Sequence, residues 1–315
     1  MRSVTFIKDQ QTRLGIKTER GILDVERAMQ RYSRYSLAPA STKRLIAADE
    51  QERQALQGLI QTALETEDAD FFYREEELVF GPCVDQPEKI LCIGLNYRKH
   101  AEESNMAIPQ EPIVFSKFHN ALSAHQQPIV IPTLARQVDY EAELVIVMQK
   151  QAKNVAKEEA LSYVYGYCAG NDVSARDLQF KSSQWLLGKT SDGFCPIGPY
   201  LVSKEEIPDP NRLRIMTRVN QEVRQDSNTA DMIFSCAEIV AYLSQYMTLQ
   251  PGDLIMTGTP EGVIMGQAPE QQRWLSPGDV VEVEIEGLGT LTNSFCSEQT
   301  STVALPSGME GERAR

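Results

Sequence analysis

The chain has 315 residues, 42% hydrophobic and 24% charged, and its formal net charge of −13 comes without a basic block. That balance argues against nucleic acid or anionic membrane as partners, though not against an anionic small molecule, which needs only local positive charge. No apolar stretch approaches a membrane span, and residues 1–13 lack the apolar core of a signal peptide. The cysteines (Cys83, Cys92, Cys168, Cys195, Cys236, Cys296) are scattered, form no CxxC pair and sit mostly among apolar neighbours. Reduced thiols in a cytoplasmic protein are expected.

Three short strands open the chain, at Val4-Thr5-Phe6-Ile7, Arg13-Leu14-Gly15-Ile16 and Gly21-Ile22-Leu23-Asp24-Val25. Ser41 or Thr42 can cap a short helix through Leu45 and Ile46. Leu56, Leu59, Ile60, Ala63 and Leu64 form one stripe of a longer helix. No cluster of chemically active residues appears here, so residues 1–80 read as a small accessory domain. The turn-rich segment Gly81 to Pro87 marks the expected boundary with a second domain over 81–296.

From Lys89 onward strands dominate. The first are Ile90-Leu91-Cys92-Ile93-Gly94, Ile113-Val114-Phe115 and Ile129-Val130-Ile131; prolines at both ends of the third suit a sheet edge. Others are expected over 144–148, 163–168, 213–220, 253–257, 280–285 and 289–291, the last two joined by Glu286-Gly287-Leu288. One clear helix runs near 236–246. Strands of mixed spacing with few helices predict an α+β fold on a curled sheet, not a doubly wound one. Residues 297–315 form a polar tail that should be loosely held.

The chemistry centres on QVDYEAELVIVM, residues 137–148. Glu141 and Glu143 run into an apolar, β-branched segment that reads as a buried strand. Alternation puts both carboxylates on one face, roughly 6–7 Å apart along the chain. Such a pair is either a solvated acidic strand end or needs a compensating arginine, lysine or hard divalent cation. Asp172 follows another apolar run and is either a turn or N-cap residue or a third carboxylate of the same group. Three oxygen ligands without Cys or His suit Mg²⁺ or Mn²⁺, with Ca²⁺ possible, and not Zn²⁺. Lys189, among glycines and apolar residues, is a surface lysine or, beside a metal, a partner for a substrate oxyanion. His100 and Glu103, three apart, share a face if helical, as an ordinary charged surface or as a base with its orienting acid. The loop at Thr257 to Val263 is a tight turn or a carboxylate cradle.

In this order, GLNYRKHAEE, FSKF, DYEAEL, NDVSARDLQ, GKTSDGFCPIGP, SNTADMIF, TGTPEGV and PGDVVEVEIEGLGTLTN resemble the fumarylacetoacetate hydrolase superfamily over about residues 88–295. The resemblance implies a mixed β-sandwich roll around a divalent metal, usually in a homodimer. It implies metal ligation by Glu141, Glu143 and Asp172, and a catalytic His100–Glu103 pair on a mobile lid. Lys189 matches the lysine that steadies a substrate oxygen; Gln179 and Thr259 match substrate-contacting residues. Lys117 lies where the family keeps a lysine, with its role open. The N-terminal domain resembles that of the longer bacterial members.

The activity this implies is divalent-metal-dependent cleavage of a C–C bond in a small 2-oxo or 1,3-diketo acid, of the acylpyruvate type. Decarboxylation of an oxaloacetate-type acid and isomerisation of a 2-hydroxy-diene-dioate are the alternatives, because all three stabilise an enolate at one metal. A non-catalytic metabolite-binding protein on the same fold is the alternative of another class.

Overall fold

The computed structural model of the protein describes residues 1–67 and 70–298. Its main sheet has 12 strands. From the N-terminal edge it passes through Phe72–Tyr73, Gly21–Asp24, Gln11–Thr18 and Arg2–Lys8 to Cys195–Ser203. It continues through Val164–Asn171, Ala142–Met148, Leu254–Met256 and Ile90–Gly94 to Ile113–Lys117. A five-stranded sheet carries the hairpin Val280–Ile285 and Gly289–Ser297 with Ile129–Ile131 at its edge, where the flanking prolines placed it. The fold is the mixed α+β architecture expected.

Every residue of Ala142–Met148 is buried, and alternation sorts them. Val145 and Val147 face a core shared with Leu45, Ile46, Leu56 and Leu59 of the N-terminal helices. Leu144, Ile146 and Met148 face the opposite core, with Ile239 and Leu243 of the Cys236–Tyr246 helix and Val283, Leu291 and Phe295 of the second sheet. The main sheet is therefore covered on both faces, which is why this strand is apolar without interruption.

The helices follow their caps. Ser41 accepts from Arg44 N at the start of Thr42–Ala47, and Asp49 and Glu52 form a capping box for Glu50–Leu64. Ser235 and Glu238 do the same for Cys236–Tyr246.

The N-terminal strands extend the main sheet: Arg2 and Ser3 pair with Val202 and Leu201. The expected boundary, between residues 80 and 81, falls inside the strand Val79–Gly81, which pairs with Arg2–Lys8. The strand read at 289–291 runs on through Ser297, hydrogen-bonded to Val280–Ile285 and Ile129–Ile131. The tail expected from residue 297 thus begins as strand, and 299–315 lie outside the described residues.

Candidate active site

Topology brings the expected residues to one end of the main sheet. Ala142–Met148 runs antiparallel to Val164–Asn171, so Ala142 pairs with Asn171 and the strand start meets the strand end. Glu141 and Asp172 then flank that rung, tied by Asp172 N donating to Glu141 O at 2.9 Å and Glu141 N donating to Asn171 Oδ1 at 2.9 Å. Leu254–Met256 is antiparallel to Ala142–Met148 and parallel to Ile90–Gly94. The loops after Met256 and Gly94, carrying Thr259 and His100, therefore emerge at the same end.

One carboxylate oxygen from each of Glu141, Glu143 and Asp172 lies within 4.8 Å of the others. All three groups are buried: 5%, 2% and 0% exposed. Lys189 Nζ donates to Glu141 Oε2 at 2.8 Å and Asp172 Oδ2 at 2.7 Å. Arg176 pairs with Glu141 Oε1 at 2.7 Å, and Lys117 with Asp172 Oδ1 at 2.6 Å. Lys117 also donates to the carbonyls of Val173, Phe194 and Lys189, fixing the segments that carry the ligands. Glu143 differs: Gly258 N donates to its Oε2 at 2.8 Å, and no cationic side chain pairs with it among the described residues.

The electrostatics follow from this arrangement. Burial raises the Glu143 pKa, and the charges of Asp172 and Glu141 raise it further, so it stands well above the usual carboxylate range. Burial also opposes ionisation of Glu141, but Lys189 and Arg176 outweigh it and hold its carboxyl well below that range. Burial would lower Lys189, yet Asp172 and Glu141 raise it, so it stays an ammonium.

A hard divalent cation fits this donor set. It takes oxygen ligands at about 2.0–2.6 Å, which puts ligand oxygens up to roughly 4–5 Å apart across the ion. The spacing here is within that span, and a cation would supply the positive charge that lets Glu143 ionise beside Asp172 and Glu141.

The short helix Arg98–Glu103 carries His100 and Glu103. His100, 4% exposed, donates from Nδ1 to Glu103 Oε1 at 2.8 Å. Glu103 Oε2 accepts from Gly262 N at 2.9 Å, which ties the helix to the loop after Thr259. Thr259 Oγ1 accepts from Gln225 Nε2 at 2.9 Å, and Gln179 Oε1 accepts from Arg176 Nη1 at 3.0 Å.

Six of the eight expected residues line one cavity that opens to solvent: His100, Glu141, Glu143, Gln179, Lys189 and Thr259. The other two, Glu103 and Asp172, act on lining residues: Glu103 on His100 and Asp172 on Lys189. The remaining wall is largely apolar, with Phe115 and Trp185 packed edge to face at 5.3 Å. Gly188 allows the close approach that delivers Lys189: a Cβ there would lie 2.5 Å from Ala175 O and from Gln179 N.

Residues 89–296 match the family model described as Fumarylacetoacetate (FAA) hydrolase C-terminal. The chain belongs to the fumarylacetoacetate hydrolase family. Among this family's proteins it is 52% identical to the fumarylacetoacetate hydrolase domain-containing protein 2 homolog of Dictyostelium discoideum, over 66% of this chain and 72% of that protein. It is 44% identical to the mitochondrial oxaloacetate tautomerase Fahd2a of Rattus norvegicus, over 69% of each. The fumarylacetoacetate hydrolase of Exiguobacterium antarcticum superposes with a TM-score of 0.77 at 31% identity, over 94% of this chain and 99% of that one. Family members of known structure include isomerases and a maleylpyruvate hydrolase, so the family contains enzymes.

Two residues of this candidate site are missing from the sequence-based set. Arg176, 3% exposed, bridges Glu141 and Asp139, and Asp139 accepts from Ile264 N and Met265 N at 2.9 and 3.0 Å. Their signal was faint, an arginine four residues after a candidate ligand and an aspartate two before another. Nothing local distinguishes either from a surface charge.

Proposed function

We propose that this protein is a divalent-metal-dependent enzyme that moves a proton at the carbon beside the carbonyl of a small 2-oxo acid. Keto–enol tautomerisation of oxaloacetate is its first candidate reaction. The observation that carries this is the shared cavity: His100, Lys189, Glu141 and Glu143 all line it. The name of the rat relative, oxaloacetate tautomerase, supports proton transfer ahead of the bond cleavage expected from sequence.

Glu141, Glu143 and Asp172 would hold Mg²⁺ or Mn²⁺, with Ca²⁺ also suited to the oxygen set. Bound there, such a cation would supply Lewis-acid stabilisation to the enolate of a 2-oxo acid. Lys189, kept charged by its carboxylate partners, adds positive charge beside the developing oxyanion rather than a proton. His100, with Nδ1 bound to Glu103, has Nε2 left to carry the proton to and from carbon. Gln179 and Thr259 hold the substrate's remaining oxygens.

The second reading, hydrolysis of an acylpyruvate-type C–C bond, uses the same groups with His100 activating water. The fumarylacetoacetate hydrolase among the structural relatives supports it. Six free thiols support the cytoplasmic compartment, and the family resemblance supports a homodimer; the division near residue 81 into accessory and catalytic parts belongs to the same reading.

The test follows enol loss from oxaloacetate and cleavage of acetylpyruvate, with Mg²⁺ or Mn²⁺ added, in wild type, Glu141→Ala and His100→Ala. Tautomerisation should need metal, vanish in Glu141→Ala and fall about 10²–10⁴-fold in His100→Ala. Full turnover of Glu141→Ala in EDTA would overturn both readings. Cleavage of acetylpyruvate with the enol untouched would select the hydrolase. No turnover of any 2-oxo acid despite bound metal would leave a binding protein.

A further inference from the structure

The loop Gly262 to Gly266 is held from two sides. Below, Asp139 accepts from Ile264 N and Met265 N, and Arg176 joins Asp139 to Glu141. Above, Gly262 N donates to Glu103 Oε2 at 2.9 Å. The loop thus connects the acidic cluster to the acid that orients His100.

Gly266 sits where the Glu103 carboxylate rests. A Cβ built there would lie 2.6 Å from Glu103 Cδ and 2.8 Å from each of its oxygens, and these are the three nearest heavy atoms. No carbon approaches a carboxylate that closely without displacing it. Gly266 is absent from the positive-φ glycines, so its backbone does not itself require glycine. All three of the nearest atoms belong to one group, the Glu103 carboxylate.

We propose that Gly266 is a positioning residue for the acid–base pair. Its bare Cα leaves a seat for the Glu103 carboxylate, and that seat holds Oε1 toward His100 Nδ1 while Oε2 takes the Gly262 amide. A methyl group at 266 lifts the carboxylate off the seat and breaks both bonds. His100 then loses its orientation while the metal ligands stay in place. The fold survives, because what must move is the end of a side chain 20% exposed to solvent, not backbone.

This inference rests on the proposed role of His100 and Glu103. Its test compares Gly266→Ala, Glu103→Ala, His100→Ala and the Glu103→Ala/Gly266→Ala double variant in tautomerase turnover, melting temperature and Mn²⁺ titration. Gly266→Ala should lower kcat about ten- to a hundredfold with KM within about threefold, and leave Mn²⁺ affinity and melting temperature unchanged. In the Glu103→Ala background the same change should cost nothing, because no carboxylate remains to be displaced. If Gly266→Ala fails to fold but the double variant folds, the contact is the proposed one; if neither folds, glycine serves another purpose and the inference is overturned. It is also overturned if kcat of Gly266→Ala stays within twofold of wild type, if the two losses multiply in the double variant, or if Mn²⁺ affinity falls alongside. Wild-type turnover in His100→Ala would instead sink the functional reading itself.

Discussion

The Lys189 ammonium donates to Glu141 Oε2 at 2.8 Å, inside a cluster where both groups are almost wholly buried. An ion pair this deep has a large desolvation cost and is held by the second carboxylate, Asp172. Its sign makes a test. Lys189→Met removes positive charge next to three carboxylates, so Mn²⁺ should bind more tightly, not less. Turnover should nevertheless fall about 10²–10³-fold, the usual loss when an oxyanion partner is removed. Titration calorimetry and steady-state kinetics on one preparation separate these effects. Weaker Mn²⁺ binding would show that the lysine builds the ion site rather than serving the substrate.

Cation binding should be visible as stability. A ligand at a hundredfold excess over its Kd adds about 2.7 kcal/mol, several degrees in melting temperature for a chain of this size. Mg²⁺ or Mn²⁺ should raise the melting temperature of wild type by that order and leave Glu143→Gln unmoved. EDTA should reverse the gain and remove activity together. An equal shift in Glu143→Gln would place the ion elsewhere.

Arg176 neutralises Asp139 and Glu141 at once. Burial would lower its pKa, but those two carboxylates raise it above the ordinary arginine value. Arg176→Met leaves two buried anions short of a partner, a change that costs about 3–5 kcal/mol. Urea denaturation should show it in the midpoint, and added Mn²⁺ should recover part of the loss. A cost below about 1 kcal/mol would mean that water reaches the pair.

His125, which does not line the candidate cavity, sets a stability limit on the acid side. Thr292 N donates to its Nδ1 at 3.1 Å, so that nitrogen must be unprotonated. Burial lowers its pKa to about 4, against a weaker raising effect of Glu75. The folded value lies below the unfolded value of about 6.5, so the imidazole's contribution is complete above pH 6.5 and is lost as pH falls towards 4. His125→Asn keeps an acceptor in that place without a titrating group. It should flatten the fall in melting temperature between pH 6.5 and 4; an unchanged slope would assign the acid sensitivity to other groups.

Much of this was legible in the residues because it is local. Five apolar residues in a row announce the strand Ala142–Met148, and Ile239, Leu243 and Tyr246 at helical spacing announce Cys236–Tyr246. The strand Cys195–Ser203 was hidden, because Pro196 and Pro199 argue against a central strand. It is central nonetheless, and its pairing with Val164–Asn171 passes from Gly198 to Val202, so Pro199 falls in an irregular step where no ladder amide is needed.

The sequence alone determined which groups are available: three carboxylates beside apolar runs, a lysine in a glycine-rich turn, and a histidine three residues before a glutamate. Burial patterns and side-chain spacing along one segment need no distant information. Only the tertiary structure decided which groups meet, because those distances depend on strand register and loop docking. The pairing of Ala142 with Asn171 brings Asp172 to Glu141, and the loop at 262–266 brings Gly262 to Glu103, 159 positions earlier. Arg176 and Asp139 show the same division: each is an ordinary charge in its own neighbourhood, and they become a buried bridge only when Val138 pairs with Ala175.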